Sequence, residues 1–317
     1  MIVIPKYKDT VVELQGPKAT LEGKYKLKII KPDGRVRLET DWFSNLILNT
    51  GLDFRMGGTG YFGSTMFTCC VGTGSSTPVA TQTTLDAQVM SVAGSANYGV
   101  QASAPYYGFC TCSYQFSAAG SDYNLTEIGV GISGSQLTSR ALIVDGVGNP
   151  TTISILTGEI LEASYQLNIY PPLTDNVQTV TISGIPYSVT TRAVAVTSAN
   201  PGWGIAAGAP LTWELGVTAF TSTATLGAIT DSSPATCSVI GGNPTLTPGS
   251  YTNGTYTRSL TMYADINTFN HSGGIGAFTS YTGGTGQFQH VFSSPIPKDN
   301  TNALTLTFNY TVGAGTG

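Results

Sequence analysis

The groups in this chain able to carry acid–base, nucleophilic or metal chemistry are two histidines, five cysteines and eighteen carboxylates. His290 alternates with Phe288 and Phe292, which puts all three on one face of a strand. Its plain reading is a packed, hydrogen-bonded ring; its functional reading is a general acid or base. His271 lies in NHSGG and reads as a solvated loop residue. Neither histidine has a metal-binding spacing. The cysteines are Cys69, Cys70, Cys110, Cys112 and Cys237, an odd number that argues against a disulfide framework. Cys110 and Cys112 continue onto Tyr114 and Phe116 as one apolar face, with the thiols acting as small hydrophobes. The alternative is a zinc site from Cys69, Cys70, Cys110 and Cys112, but adjacent and alternate cysteines lack the knuckle spacing. Glu127, Glu159, Glu162 and Glu214 are the carboxylates from which a glycosidase pair would have to be drawn, by meeting in space rather than in sequence. GTG at 72–74 has no following Lys, GVG at 129–131 lacks a third Gly and an acidic partner, and there is no GxSxG. No residues read as catalytic, cofactor-binding or metal-binding, and the chain reads as a non-enzyme with no cofactor.

Binding chemistry is represented twice. Lys24, Lys26 and Lys28 are spaced by two on one strand face. They read either as a solvated face, with Lys protecting a sheet edge, or as contacts to an acidic neighbouring subunit. Trp203, in NPGWG, is the candidate for ligand contact with a glycan, since a Trp in a Gly-rich loop is hard to bury fully. Its structural reading is packing against its own domain or a neighbouring copy. Sequons at Asn124, Asn253 and Asn309 carry little meaning without a secretory signal, and MIVIPKYKDTVVEL has none.

The elements that must position these residues are almost all strands. KYKLKII at 24–30 alternates, PDG at 32–34 turns, and VRLE returns with Val36 and Leu38 inward. Strands are also expected at 67–73, 110–116, 125–132 and 160–170, with a hairpin RALIVD–GVGNP–TTISIL. WFSNLILNTGLDFRM at 42–56 is the one helix candidate. After Pro171 and Pro172 the alternation restarts: Val180 and Ile182, Tyr187 and Val189, Val194 and Val196. Further rows are Leu211, Trp213, Leu215 and Val217, then Phe288 to Phe292, then Leu304 to Val312. Gly-rich loops are expected at 198–210 and 270–287. The pattern predicts a mainly β protein: an extended arm over 1–20, a β domain over 21–172 and a second over 173–317, each a sandwich or jelly-roll-like unit.

Charge is unevenly distributed. Of 14 Lys plus Arg and 18 Asp plus Glu, fifteen charges fall between Lys6 and Asp41. The first 41 residues carry nine basic against six acidic groups, and the remainder five against twelve. Ordinary globular chains are about a quarter charged, and surface charge keeps a monomer soluble. The shortage beyond residue 41 therefore predicts a surface covered in an assembly, with interface cores depleted in charge. A net charge of −4 provides no basic field for nucleic acid or a membrane surface, and no segment approaches the roughly 18 apolar residues of a membrane span.

SNLILNTGLD (44–53), CCVGTGSSTPVATQTTLDAQV (69–89), LTEIGVGIS (125–133) and LTSRALIVDGVGNPTTISILTGEILEASYQLNIYPP (137–172) follow one another in an order that resembles virion structural proteins of tailed bacteriophages. The resemblance covers about residues 40–172 and implies a neck, collar, tail or fibre-anchoring role. The implied partners are copies of itself and other virion proteins, and the implied place is the virion, assembled in the host cytoplasm. It supplies no catalytic residues. A capsid decoration protein, a receptor- or carbohydrate-binding tail module contacting host-surface glycan, and a depolymerase are the competing expectations.

Overall fold

The computed structural model describes residues 11–57, 66–196, 203, 215–282 and 286–315. In chain order the first strands are β1 (Val11–Gln15), β2 (Ala19–Ile30), β3 (Val36–Glu39), β4 (Phe43–Ser44) and β5 (Leu46–Ile47). A helix, α1 (Asn49–Gly57), precedes β6 (Thr68–Gly72), β7 (Gln88–Ala93), β8 (Ser95–Gln101) and β9 (Tyr107–Gln115). Next come β10 (Tyr123–Leu125), β11 (Glu127–Ser133), β12 (Gln136–Leu142), β13 (Ile153–Ile155) and β14 (Ile160–Tyr170). The second half holds β15 (Asn176–Ile182), β16 (Ile185–Val194), β17 (Leu215–Thr221), β18 (Val239–Ile240) and β19 (Thr245–Pro248). It ends with β20 (Thr257–Ala264), β21 (His271–Thr282), β22 (Gly286–Lys298) and β23 (Leu304–Ala314). The protein is mainly β, as its alternation predicts.

The largest sheet runs β19-β20-β23-β2-β14-β9-β8, with β1 beside β23 and β3 and β4 beside β2. Two smaller sheets run β5-β12-β11-β6-β7 and β15-β16-β22-β21-β17-β18, and β10 pairs with β13. In β2 and β14 every second side chain is buried, so Tyr25, Leu27, Ile29, Ala163, Tyr165 and Leu167 face one core. One contiguous set of buried side chains extends from Val12 to Val312 through all the larger sheets, with a satellite of Leu48, Cys70, Leu85 and Leu137. Each large apolar side chain so buried stabilises the fold by about 1.5–3 kcal/mol relative to exposure.

The described part of the arm can be placed, and four expectations need correction. The described part of the arm is strand: β1 pairs in parallel with β23 along Val11↔Thr305 to Gln15↔Asn309, and Ala19–Leu21 of β2 continue on the same strand at Val312–Ala314. That sheet crosses the division drawn at 172–173, because Val12 and Leu14 supply the alternation an added strand needs. The helix expected over 42–56 is confined to Asn49–Gly57; Phe43 and Ile47 instead turn inward from short strands against β2 and β12. Residues 271–282, expected as loop, form β21, paired to both β17 and β22. Its glycines serve bulges: Gly274 has φ +75°, and a Cβ there would lie 2.6 Å from the Ile296 carbonyl oxygen. The arms of the hairpin around 145–149 touch only at the bridge Val144↔Pro150; β12 and β13 belong to different sheets. Val36, expected inward, is exposed. Leu211, Trp213 and the loop residues other than Trp203 in 198–210 lie outside the described residues, as do residues 1–10 of the arm.

Candidate functional site

Most of the groups singled out by type are held inside the fold. The His290 ring is buried between two hydroxyls, with Nδ1 2.9 Å from Thr191 Oγ1 and Nε2 2.7 Å from Ser280 Oγ. It packs on Phe308 with ring centres 4.8 Å apart. Burial pushes its pKa down to about 3, so the ring is neutral and faces no solvent. The packed reading of His290 is the one the geometry supports. His271 stands at the start of β21, where its Nδ1 accepts the Gly273 amide.

Glu127 is fully buried at the start of β11 and accepts the backbone amides of Gly74, Asp86 and Ala87 at 2.8–3.1 Å. Arg140 Nη2, on the neighbouring strand β12, donates to Glu127 Oε2 and to Asp86 Oδ2, each at 2.7 Å. Asp86 also accepts from the Ser76 hydroxyl; that bond and then Arg140 hold its carboxyl below the usual range. These groups fasten the 73–87 loop to the sheet, and they leave Glu127 without an oxygen for a substrate. Glu127 was singled out from the sequence, but Arg140 was not. The available signal was a lone Arg in SRAL and a lone Glu in TEIGV, single charges in neighbouring apolar strands.

Glu159 accepts Arg37 Nε and Nη2 at 2.6 Å, which lowers its carboxyl pKa. Glu162 pairs with Lys28; no acidic pair forms between Glu159 and Glu162, and Glu214 lies outside the described residues. Lys24, Lys26 and Lys28 sit on a strand inside the largest sheet, so they protect no edge there. Lys24 Nζ lies 5.0 Å over the Trp42 ring, Lys26 pairs with Glu39, and the Glu162 hydrogen bond raises the Lys28 pKa. Trp203 is 1% exposed: its Nε1 donates to the Val194 carbonyl and its ring meets Phe288 edge-on. The glycan contact expected of it has no surface to act from, and packing within its own domain is what the structure holds. Arg192 pairs with Asp175, Arg258 donates to the Met56 carbonyl and Lys298 to Asn270 Oδ1. With Arg140, four of the five cations beyond residue 41 thus serve the fold.

Cys69 and Cys70 alternate on β6 into different cores, while Cys110 and Cys112 share a face of β9. Among the described residues no group of three or more His, Cys, Asp or Glu side chains is placed to hold a metal. All five thiols are free, and burial raises Cys69 well above its ordinary pKa and Cys70 to about 11. Titration of native protein with a thiol reagent is therefore expected to label Cys237 alone on the minutes scale, and all five cysteines in denaturant. Rapid native labelling of a second thiol would show that the β6–β9 core opens.

What remains at the surface is a sheet edge. β7 pairs only with β6 and β8 only with β9, so residues 88–101 border two sheets with their outer backbone edge unpaired among the described residues. Gly94 makes the corner between them, where a Cβ would collide with the Tyr114 ring. No charged residue lies between Asp86 and Asp122, and residues 88–101 contain no Pro. Other edges are managed: β5 and β18 have two residues each, β19 ends in Pro248, and β15 grips β1 through Asn176 and Gln178. Compared with family models, curated proteins and solved structures, the chain matches none.

Proposed function

We propose that the chain is a structural subunit of a tailed-phage virion, a neck, collar or tail component that assembles with copies of itself and neighbouring virion proteins. The observation that carries assembly is the edge at 88–101. An uncharged, Pro-free edge of this length is what monomers avoid and what strand addition between subunits uses. In a closed ring the same edge is covered by the next copy. The virion itself is supported by the resemblance over residues 40–172. Capsid decoration is the second reading and differs in copy number, not in chemistry.

Two measurements test this. Light scattering on the purified chain is expected to give a discrete oligomer, and Ser91→Lys with Ser95→Lys, both exposed on the edge, is expected to yield a folded monomer with an unchanged melting temperature. A monodisperse wild-type monomer at high concentration overturns assembly. Cryo-electron microscopy of particles carrying the chain is expected to place it as a ring or trimer at the neck or tail. Copies spread over the capsid lattice select decoration, and the absence of density overturns the virion role.

A further inference from the structure

A groove of about 690 Å³ runs between the 38–44 segment and the 144–153 loop. Its volume is in the range of small-molecule sites. Trp42 lines it and stays 39% exposed, whereas Trp203 is buried. Asp41, Asp145, Thr151 and Thr152 share the lining.

The walls are built in advance. Thr40 is tied to Leu27 on both sides, its amide donating to the Leu27 carbonyl and its hydroxyl accepting the Leu27 amide, each at 2.9 Å. Phe43 is buried against Tyr25, 5.9 Å between ring centres. Asp41 and Trp42 are therefore held outward between two anchored neighbours. Opposite them, Asp145 Oδ1 accepts the amides of Val147 and Asn149, which fixes the loop. Arg37 Nη2 bridges the two sides by donating to the Ser154 carbonyl at 2.6 Å. A site fixed this way loses little freedom on binding.

We propose that this groove binds a neutral saccharide, with a pyranose ring stacked on the Trp42 indole and its hydroxyls donating to Asp41 and Asp145. An aromatic face supplies apolar contact to the C–H side of a sugar, and a few placed polar groups orient it. A cationic ligand fits less well. Lys24 Nζ, 5.0 Å from the centre of the Trp42 ring, would repel a ligand cation, and Lys26 pairs with Glu39. The site is independent of the 88–101 edge and of the virion role.

The test is a glycan array probed with the full chain, followed by titration of the strongest neutral glycan against wild type, Trp42→Ala and Asp41→Asn. Micromolar to millimolar binding is expected for wild type, with at least a tenfold loss in each variant and melting temperatures unchanged. Trp42→Phe, which keeps an aromatic face, is expected to retain part of the affinity. Absence of any neutral glycan hit, or equal binding by Trp42→Ala, overturns the proposal. So does a Trp42→Ala variant that loses its oligomer while glycans are ignored, because the groove is then a subunit contact.

Discussion

Replacing Arg140 by leucine is expected to destabilise the protein by about 3–5 kcal/mol, seen as a lower urea midpoint with unchanged slope. Arg140 and Glu127 are both fully buried, and Arg140 Nη2 reaches Glu127 and Asp86 at once. Removing the guanidinium leaves the Glu127 carboxylate dry, with only three backbone amides to hold it. Deleting both charges does not rescue the fold in this case. Glu127→Leu would orphan those amides, each an unsatisfied donor costing roughly 1–3 kcal/mol. The double variant Arg140→Leu with Glu127→Gln is therefore expected to recover part of the loss, because the amide oxygen still accepts while the buried charge is gone. Arg140→Lys is expected to fall between, since its ammonium keeps the buried positive charge but sits on a shorter side chain than Nη2 and lacks Nη1, which also reaches the Ser76 hydroxyl. A loss under about 1 kcal/mol for Arg140→Leu would mean that the 73–87 loop is anchored by other contacts.

The strands of this fold were legible where one face is buried and the other is not. The period-two pattern of KYKLKII and ILEASYQLNIY is a direct consequence of the pleat, and the hairpin at PDG follows from turn chemistry. Partnership between strands was much less legible. Nothing local in VVELQ says that it lies beside residues 305–309, because backbone pairing across the whole chain leaves only a generic alternation in each strand. β21 was hidden for a different reason. Three glycines in HSGGIGAF read as loop, yet two bulges and close approach to flanking strands are what require them. His290 was placed correctly from its apolar neighbours. Trp203 was the harder case: a Gly-rich context allows exposure, and only the contact with Val194 and Phe288 shows that the ring is folded back. Trp42 carried no such flag, since an aromatic beside Phe43 and Leu46 looks like the start of a buried face. Its exposure arises from the anchoring of Thr40 and Phe43 on either side, which is a tertiary fact.

Stability is expected to fall as the pH is lowered from about 6.5 toward 4.5, and His290 is expected to be the cause. The folded ring has its pKa pushed down to about 3 by burial, while the unfolded chain has the ordinary value of 6.5. Between those values the unfolded state binds a proton that the native state refuses, so stability is complete above the unfolded pKa and declines as pH drops. The slope is about 1.4 kcal/mol per pH unit, and the loss over this window is roughly 2–3 kcal/mol. The carboxylates of Asp86, Glu159 and Asp175, held low by their hydrogen-bond and ion-pair partners, act in a lower window. Their contribution is complete above the unfolded carboxylate range and is lost as pH falls from there through the lower folded values. Urea denaturation at about pH 7, 5.5 and 4.5 separates the two. His290→Gln keeps an acceptor and a donor for Thr191 and Ser280 and cannot take up the proton. Its stability is expected to start below wild type at neutral pH and to stay nearly flat over the upper window. Parallel slopes for the two proteins would assign the acid sensitivity to another group. His290→Leu is expected to lose stability at all three values, because both hydroxyls are then buried without the ring. That contrast distinguishes the two roles of the side chain: the hydrogen bonds act at every pH, and the withheld proton only below the unfolded pKa.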